Sequence, residues 1–205
     1  MIYLDHIAVA GTTLEEATEA VETTLGVALQ PGGQHDVFGT HNRLLGLADG
    51  LYLEAIAADP SAPTPTRPRW FDLDRFAGPP RLTNWICRTD DIEAALATLP
   101  DGVGAPVSLR RGALSWQMAV PADGRLPFDN LHPGLIQWGS PVLPGDSLAA
   151  SGCRLNRLII THPDALTLAQ VLANVFNDDR VVFERGAQPA LHAEFETPHG
   201  VRTLE

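Results

Sequence analysis

The 205 residues carry 14 basic side chains, all of them arginine, against 25 acidic ones, for a formal net charge of −11. That balance argues against nucleic acid and anionic membrane as partners, because both attract basic surfaces. An apolar share of 44% supports an ordinary hydrophobic core, and the absence of lysine removes Schiff-base chemistry.

The chain opens Met1-Ile2-Tyr3-Leu4-Asp5-His6, with neither the basic start nor the apolar core of an export signal. No run reaches the ~18 apolar residues that a membrane span requires. A soluble cytoplasmic protein is expected. Cys87 and Cys153 lie far apart and outside any CxxC-like pair, which predicts buried free thiols.

Residues 3–10 read as a short apolar strand. Thr13-Leu14-Glu15-Glu16 is a capping-box pattern, and Leu14, Ala17, Val21 and Leu25 fall at helical spacing until Gly26 stops the helix. Three further strands are expected to residue 58, with turns at Pro31-Gly32-Gly33 and Asp49-Gly50; Asp-Gly between apolar runs is a strong hairpin signal. The order is βαβββ over residues 1–58.

Residues 59–81 are proline-rich at their start, cannot donate ladder hydrogen bonds at those positions, and read as a linker. The βαβββ order then returns over residues 82–140. Asp90-Asp91-Ile92-Glu93 caps its helix, Ile92, Ala95, Leu96 and Leu99 form the apolar stripe, and residues 135–138 are the fourth strand. Laying Leu14 over Ile92 places His6 over Asn84, and the fourth strands place Glu54 over Gln137. A second linker spans 141–152, and a third, shorter copy fills 153–205. The fold class is therefore α+β, a long-period duplication of one module with a truncated third.

Several stretches resemble the glyoxalase-like branch of the vicinal oxygen chelate superfamily. They are Leu4-Asp5-His6-Ile7, Gly32 to His35, Gly39 to Leu45 and Tyr52 to Ile56 in the first copy. In the second they are Arg88 to Asp91, Leu114 to Met118 and Ile136-Gln137-Trp138. The resemblance implies two βαβββ modules paired around a shared cavity. It also implies a divalent metal (Zn, Ni, Mn or Fe) held from the first and fourth strand of each module. Those positions are His6, Glu54, Asn84 and Gln137, of which His6 and Glu54 are good ligands and the two amides are weak ones.

On that fold Glu54 faces the opposite side of its strand from Leu53 and Ala55, toward the cavity, as a metal ligand and proton-transfer group. His35 and His41 flank Gly39-Thr40 near the cavity mouth, where His41 could act as acid or base and His35 could touch substrate. Asn42, Asn84, Arg110, Trp116, Gln137 and Trp138 are the remaining substrate-binding candidates, with Phe38 as a further stacking surface. Arg110 and Arg111 form a hairpin shoulder, read as a solvated edge guard or, if one arginine turns inward, as a partner for a carboxylated substrate. Each has a plainer reading: a satisfied core histidine, a solvated edge charge, a packed tryptophan. His132, His162, His192 and His199 read as turn or surface residues.

Two functions fit this reading. One is a metal-assisted isomerase, lyase or dioxygenase acting on a small oxygenated metabolite. The other is a metal-free binding protein of the sequestration or resistance type. The third copy has Leu155, Leu158, Ile159, Ile160, Leu168, Leu172 and Phe176 to bury, and must either pack back on the first two modules or build a homodimer.

Overall fold

The computed structural model describes residues 1–140 and 142–205. Among them, twelve strands join in one hydrogen-bonded sheet. The first unit runs β1 (Tyr3–Ala10), α1 (Leu14–Leu25), β2 (Gln30–His35), β3 (Thr40–Leu47) and β4 (Tyr52–Ala58). Its strands lie in the order β2-β3-β4-β1, with β1 parallel to β4. Thr13 and Glu16 exchange both capping-box hydrogen bonds, Gly26 closes the helix at φ +73°, and Leu14, Ala17, Val21 and Leu25 form the buried face of α1. Asp49 and Gly50 both take positive φ in the hairpin before β4, as Asp-Gly hairpin turns do.

The second unit repeats the order: β5 (Arg81–Arg88), α2 (Ile92–Leu96), β6 (Ala105–Arg111), β7 (Leu114–Val120) and β8 (Gly134–Trp138). β5 is parallel to β8, and β1 pairs antiparallel with β5, which welds the two units into one curved sheet. Alternation then sorts side chains onto two faces. Ile7, Val9, Leu45, Leu53, Ala55, Trp85 and Leu135 enter the core beneath α1. Ala8, Ala10, Ile56, Ile86, Trp116, Met118 and Ile136 face the other way, where they form a second cluster with Phe38, Trp70 and Phe71.

Two segments differ from expectation. Pro31-Gly32-Gly33 is no turn but part of β2, with a register irregularity between Pro31 and Gln34. The backbone N–H of Gly33 there donates to Asn42 Oδ1 at 2.8 Å, so a side chain supplies the missing ladder partner. Residues 59–81 do more than connect. Residues Trp70–Arg75 form a short 3₁₀ segment whose Trp70, Phe71 and Leu73 are buried on the concave face.

After α3 (Pro144–Ser147), β9 (Ala150–His162) begins beside β3 within residues expected as linker, of which Pro141 lies outside the described set. Then come α4 (Ala165–Leu172), β10 (Val181–Arg185), β11 (Ala190–Thr197) and β12 (Gly200–Leu204). The element order matches the other units, but β9 lies between parallel β10 and antiparallel β11, with β12 outside β11. Leu155, Leu158, Ile160, Leu168, Leu172 and Phe176 share one core with Ile7, Leu53 and Trp85. Ile2 N–H donates to the Val175 carbonyl at 2.8 Å and Leu82 N–H to that of Glu205 at 2.9 Å. The third segment thus packs back within the chain, and the homodimer loses the uncovered face on which it was expected. No helix among the described residues is long and apolar enough to cross a membrane.

Candidate functional site

A polar cluster is sunk into the concave face of the first unit. Strand alternation alone would separate Asp5 from His6, but β1 shifts register between Leu4 and His6. Both side chains are therefore buried together: His6 Nδ1 and Asp5 Oδ1 are 2.7 Å apart, and Trp138 Nε1 donates to Asp5 Oδ2 at 3.1 Å. The His6 ring stacks on Tyr52 with centroids 4.3 Å apart. With Nδ1–H given to Asp5, His6 presents Nε2 to the pocket, where it stands 3.7 Å from Glu54 Oε2. Burial, followed by the Asp5 and Glu54 carboxylates, holds the Tyr52 phenol well above its ordinary range.

Asn42 ties this line to a second group. Its Nδ2 donates to Glu54 Oε1 at 2.6 Å and approaches His35 Nε2 at 3.5 Å. Its Oδ1 accepts from Gly33 N–H at 2.8 Å and from the Arg111 guanidinium at 3.4 Å. His35 Nε2 thus faces two donors, Asn42 and Arg111, and holds its lone pair there, while Nδ1 lies 3.0 Å from Thr40 Oγ1. Burial first, then the Arg111 charge, lowers the His35 pKa from 6.5 to about 3, so the ring is neutral at physiological pH.

Trp70, Phe71, Trp116 and Trp138 wall the inner pocket over this cluster, leaving a space of about 30 Å³. Beyond His35 and Trp116 the space widens to a cavity of about 570 Å³ lined by Val37, Leu109, Arg110, Ser115 and Gln117. The inner space suits a head group of a few atoms, whereas the outer one admits a small-molecule body.

His6, Glu54, His35, Asn42, Trp116 and Trp138 therefore come together as the sequence suggested, and the other candidates do not. His41 shares β3 with Asn42 and, one residue away, falls on the opposite face; its Nε2 is buried without a partner among the described residues. Arg110 is exposed on the outer cavity, and Arg111 is the arginine that turns in. Phe38 stacks on Trp70 at 4.3 Å and supports the wall instead of forming it. Gln137 reaches the outer cavity, but its Oε1 accepts from Ile92 N–H at 2.8 Å, at the first turn of α2. His132 and His162 are buried rather than surface residues.

The second half of the expected metal set fails for a reason of register. Ala10 pairs with Ile56 and Arg88 with Ile136, so with His6 over Asn84 the strand position matching Glu54 is Gly134, not Gln137. A side chain at Gly134 would point at Met118 and Phe71, on the concave face. Asn84 is spent on Asn130, accepting from its Nδ2 at 3.3 Å and donating to its carbonyl at 3.4 Å. Two donors of four remain, beside the Arg111 cation. Among the described residues no group of three or more His, Cys, Asp or Glu side chains could hold a metal ion. The residues present do not fit a four-ligand divalent centre.

Asp5, Tyr52 and Trp70 were not singled out from the sequence, whereas Arg111 is the inward-turned member of the Arg110-Arg111 pair that the sequence offered. Trp70 had a visible signal, the apolar Trp70-Phe71 and Leu73 inside a stretch read as linker. Asp5 had none, because its orientation depends on the bulge.

Among solved structures, a hypothetical protein from Staphylococcus aureus aligns over 93% of this chain and 88% of its own, at 16% identity and a TM-score of 0.62. Methylmalonyl-CoA epimerase from Mycobacterium tuberculosis covers 66% of this chain and 85% of its own, at 22% identity and a TM-score of 0.41. A mutant 4-hydroxymandelate synthase from Streptomyces coelicolor covers 98% of this chain and 62% of its own, at 14% identity and a TM-score of 0.49. No curated protein matches the chain significantly. The profile of the glyoxalase-like domain matches residues 4–176, most of the length. With two βαβββ units joined through their first strands around one concave face, the chain belongs to the glyoxalase-like domain family of the vicinal oxygen chelate superfamily.

Proposed function

We propose that this protein is an enzyme that moves a proton at a carbon beside a carbonyl or carboxyl group of a small oxygenated metabolite, without a metal. One observation carries the reading: the buried Asp5–His6 pair presents Nε2 beside Glu54, inside a pocket closed by aromatic walls. His6 Nε2 takes the proton from carbon, and Asp5 steadies the imidazolium that results. Arg111 offers N–H groups to the oxygen on which negative charge develops. Return of that proton from His6, directly or relayed through Glu54, completes an isomerisation; departure of a neighbouring leaving group with its bonding electrons, the proton staying on His6, completes an elimination.

The cytoplasmic setting belongs to this reading and is supported by the free, buried thiols of Cys87 and Cys153. The metal-assisted version would retain only His6 and Glu54 as ligands from this chain. The sequestration alternative uses the same aromatic walls but predicts binding without turnover.

The test is solvent-deuterium incorporation, followed by proton NMR, into a panel of small 2-oxo acids, aryl ketones and β-dicarbonyl compounds. The protein is purified without chelator or nickel resin and assayed for metal. Exchange by metal-free protein that falls about 10²-fold or more in His6→Gln is the expected result. Tight binding with no exchange would identify a sequestration protein, and exchange that tracks bound metal would restore the metal-assisted route.

A further inference from the structure

Building on that reading of the same pocket, we propose that its ligand is a carboxylate on a flat apolar body, with the carboxylate held by Arg111 and the body lying along Trp116 in the outer cavity. Arg111 reaches across from the β6–β7 hairpin of the second unit into the pocket of the first. Gly33 makes the passage possible, since a Cβ there would come within 2.6 Å of Arg111 Cδ. Once inside, the guanidinium meets, among the described residues, only neutral acceptors at long range: His35 Nε2 at 3.5 Å and Asn42 Oδ1 at 3.4 Å. Among the described residues no carboxylate pairs with it. A half-buried cation with two weak neutral partners is a place for an anion, and a guanidinium suits the two oxygens of a carboxylate best. A second donor waits in the same walls, because Trp70 Nε1 is buried without any hydrogen-bond partner among the described residues.

Asn42 sets the direction in which such a ligand lies. Its amide separates the two charges, with Nδ2 on Glu54 and Oδ1 on Arg111. A carboxylate at the Arg111 end is kept from Glu54 and Asp5 by like-charge repulsion, which leaves its neighbouring carbon turned toward Glu54 and His6 Nε2. His35, neutral at physiological pH, adds no charge of its own, so discrimination for the anion falls to Arg111. The sizes agree: about 30 Å³ inside takes the head group alone, and about 570 Å³ outside takes the body against Leu109, Val37 and Trp116.

The experiment is a tryptophan-fluorescence titration of the full chain with benzoate, phenylacetate and 3-phenylpropanoate, each against its neutral amide. At least one carboxylate should bind about tenfold or more tighter than its amide, a difference of about 1.4 kcal/mol. That preference should vanish in Arg111→Met and recover in part in Arg111→Lys. Equal affinity for acid and amide, a preference that survives Arg111→Met, or no saturable binding of any carboxylate up to about 10 mM each overturns the proposal. Should Arg111→Met not fold, the acid–amide comparison on the unaltered protein decides alone. His6→Gln separates this inference from the enzymatic reading, since it should keep the carboxylate preference while losing proton exchange. A preference for carboxylates in protein that exchanges nothing would leave the anion site standing without the enzyme. Exchange confined to neutral ketones would do the reverse.

Discussion

His132 sits fully enclosed at the end of the loop before β8. Its Nδ1 donates to the Pro133 carbonyl at 2.9 Å, and its Nε2 meets no partner among the described residues. Burial lowers its pKa from 6.5 to about 4, so the folded chain refuses a proton that the unfolded chain accepts. The stability that depends on a neutral ring is present above the unfolded value near 6.5. It is lost progressively as pH falls toward the folded value of about 4. For this residue alone the loss between pH 7 and pH 5 is roughly 2 kcal/mol, and His35, shifted further, adds to it in the same window. Urea denaturation at the two pH values should show that drop, and His132→Leu should remove about half of it. An unchanged pH slope in that variant would mean that water or a partner reaches Nε2.

The same scale shows what the sequence disclosed of the site. Glu54 was legible because Leu53 and Ala55 flank it, and strict alternation sends it to the other face. Gln137 was misassigned because the residue count between third and fourth strands differs in the two units. Residues 48–51 separate β3 from β4, whereas residues 121–133 separate β7 from β8. Arg110 and Arg111 are neighbours on one strand, so alternation guarantees that only one turns in, but the register that selects Arg111 is set by pairing.

At the scale of elements, the loop between β7 and β8 and the 3₁₀ segment Trp70–Arg75 together plug the concave face of the second unit. Phe71, Asp72, Phe128, Asp129 and Asn130 all take positive φ there, an uncommon backbone for side chains with a Cβ. Asn130 holds the two pieces together. Its Oδ1 accepts from Leu126 N–H at 3.1 Å, and its Nδ2 donates to the Phe71 carbonyl and to Asn84 Oδ1, each at 3.3 Å. Asn130→Ala removes all three bonds and leaves Asn84 buried with an unmet acceptor. It should cost about 2–4 kcal/mol in denaturant titration, while benzoate binding to the folded fraction stays unchanged. A cost below about 0.5 kcal/mol would show that the plug is not held by this side chain. Beyond the apolar Trp70-Phe71 and Leu73, little of this was readable in advance: prolines at 60–68 silence the periodicity on which strand and helix assignments depend, and left-handed backbone has no apolar signature.

Across the whole molecule, the sequence revealed how much apolar surface the third segment must bury but not what would cover it. Counting Leu155, Leu158, Ile160, Leu168, Leu172 and Phe176 leaves open whether the cover is another chain or this one. The pairing of β9 with β3 settles the question, because it carries the third segment back onto the first unit. Trp85 of β5 then meets Phe176 edge-on at 5.3 Å and Phe183 at 6.2 Å. Burial there runs in both directions: removing the segment uncovers Trp85, Leu4 and Ile2 as surely as it removes their partners. Losing several such side chains from a core costs on the order of 2–5 kcal/mol each, more in sum than a domain's net stability. A chain ending at Val142 should therefore show no cooperative thermal transition and should aggregate on concentration. A folded remnant, monomeric or dimeric by light scattering, would show that the first two units own a complete core and that the third segment is an addition to it.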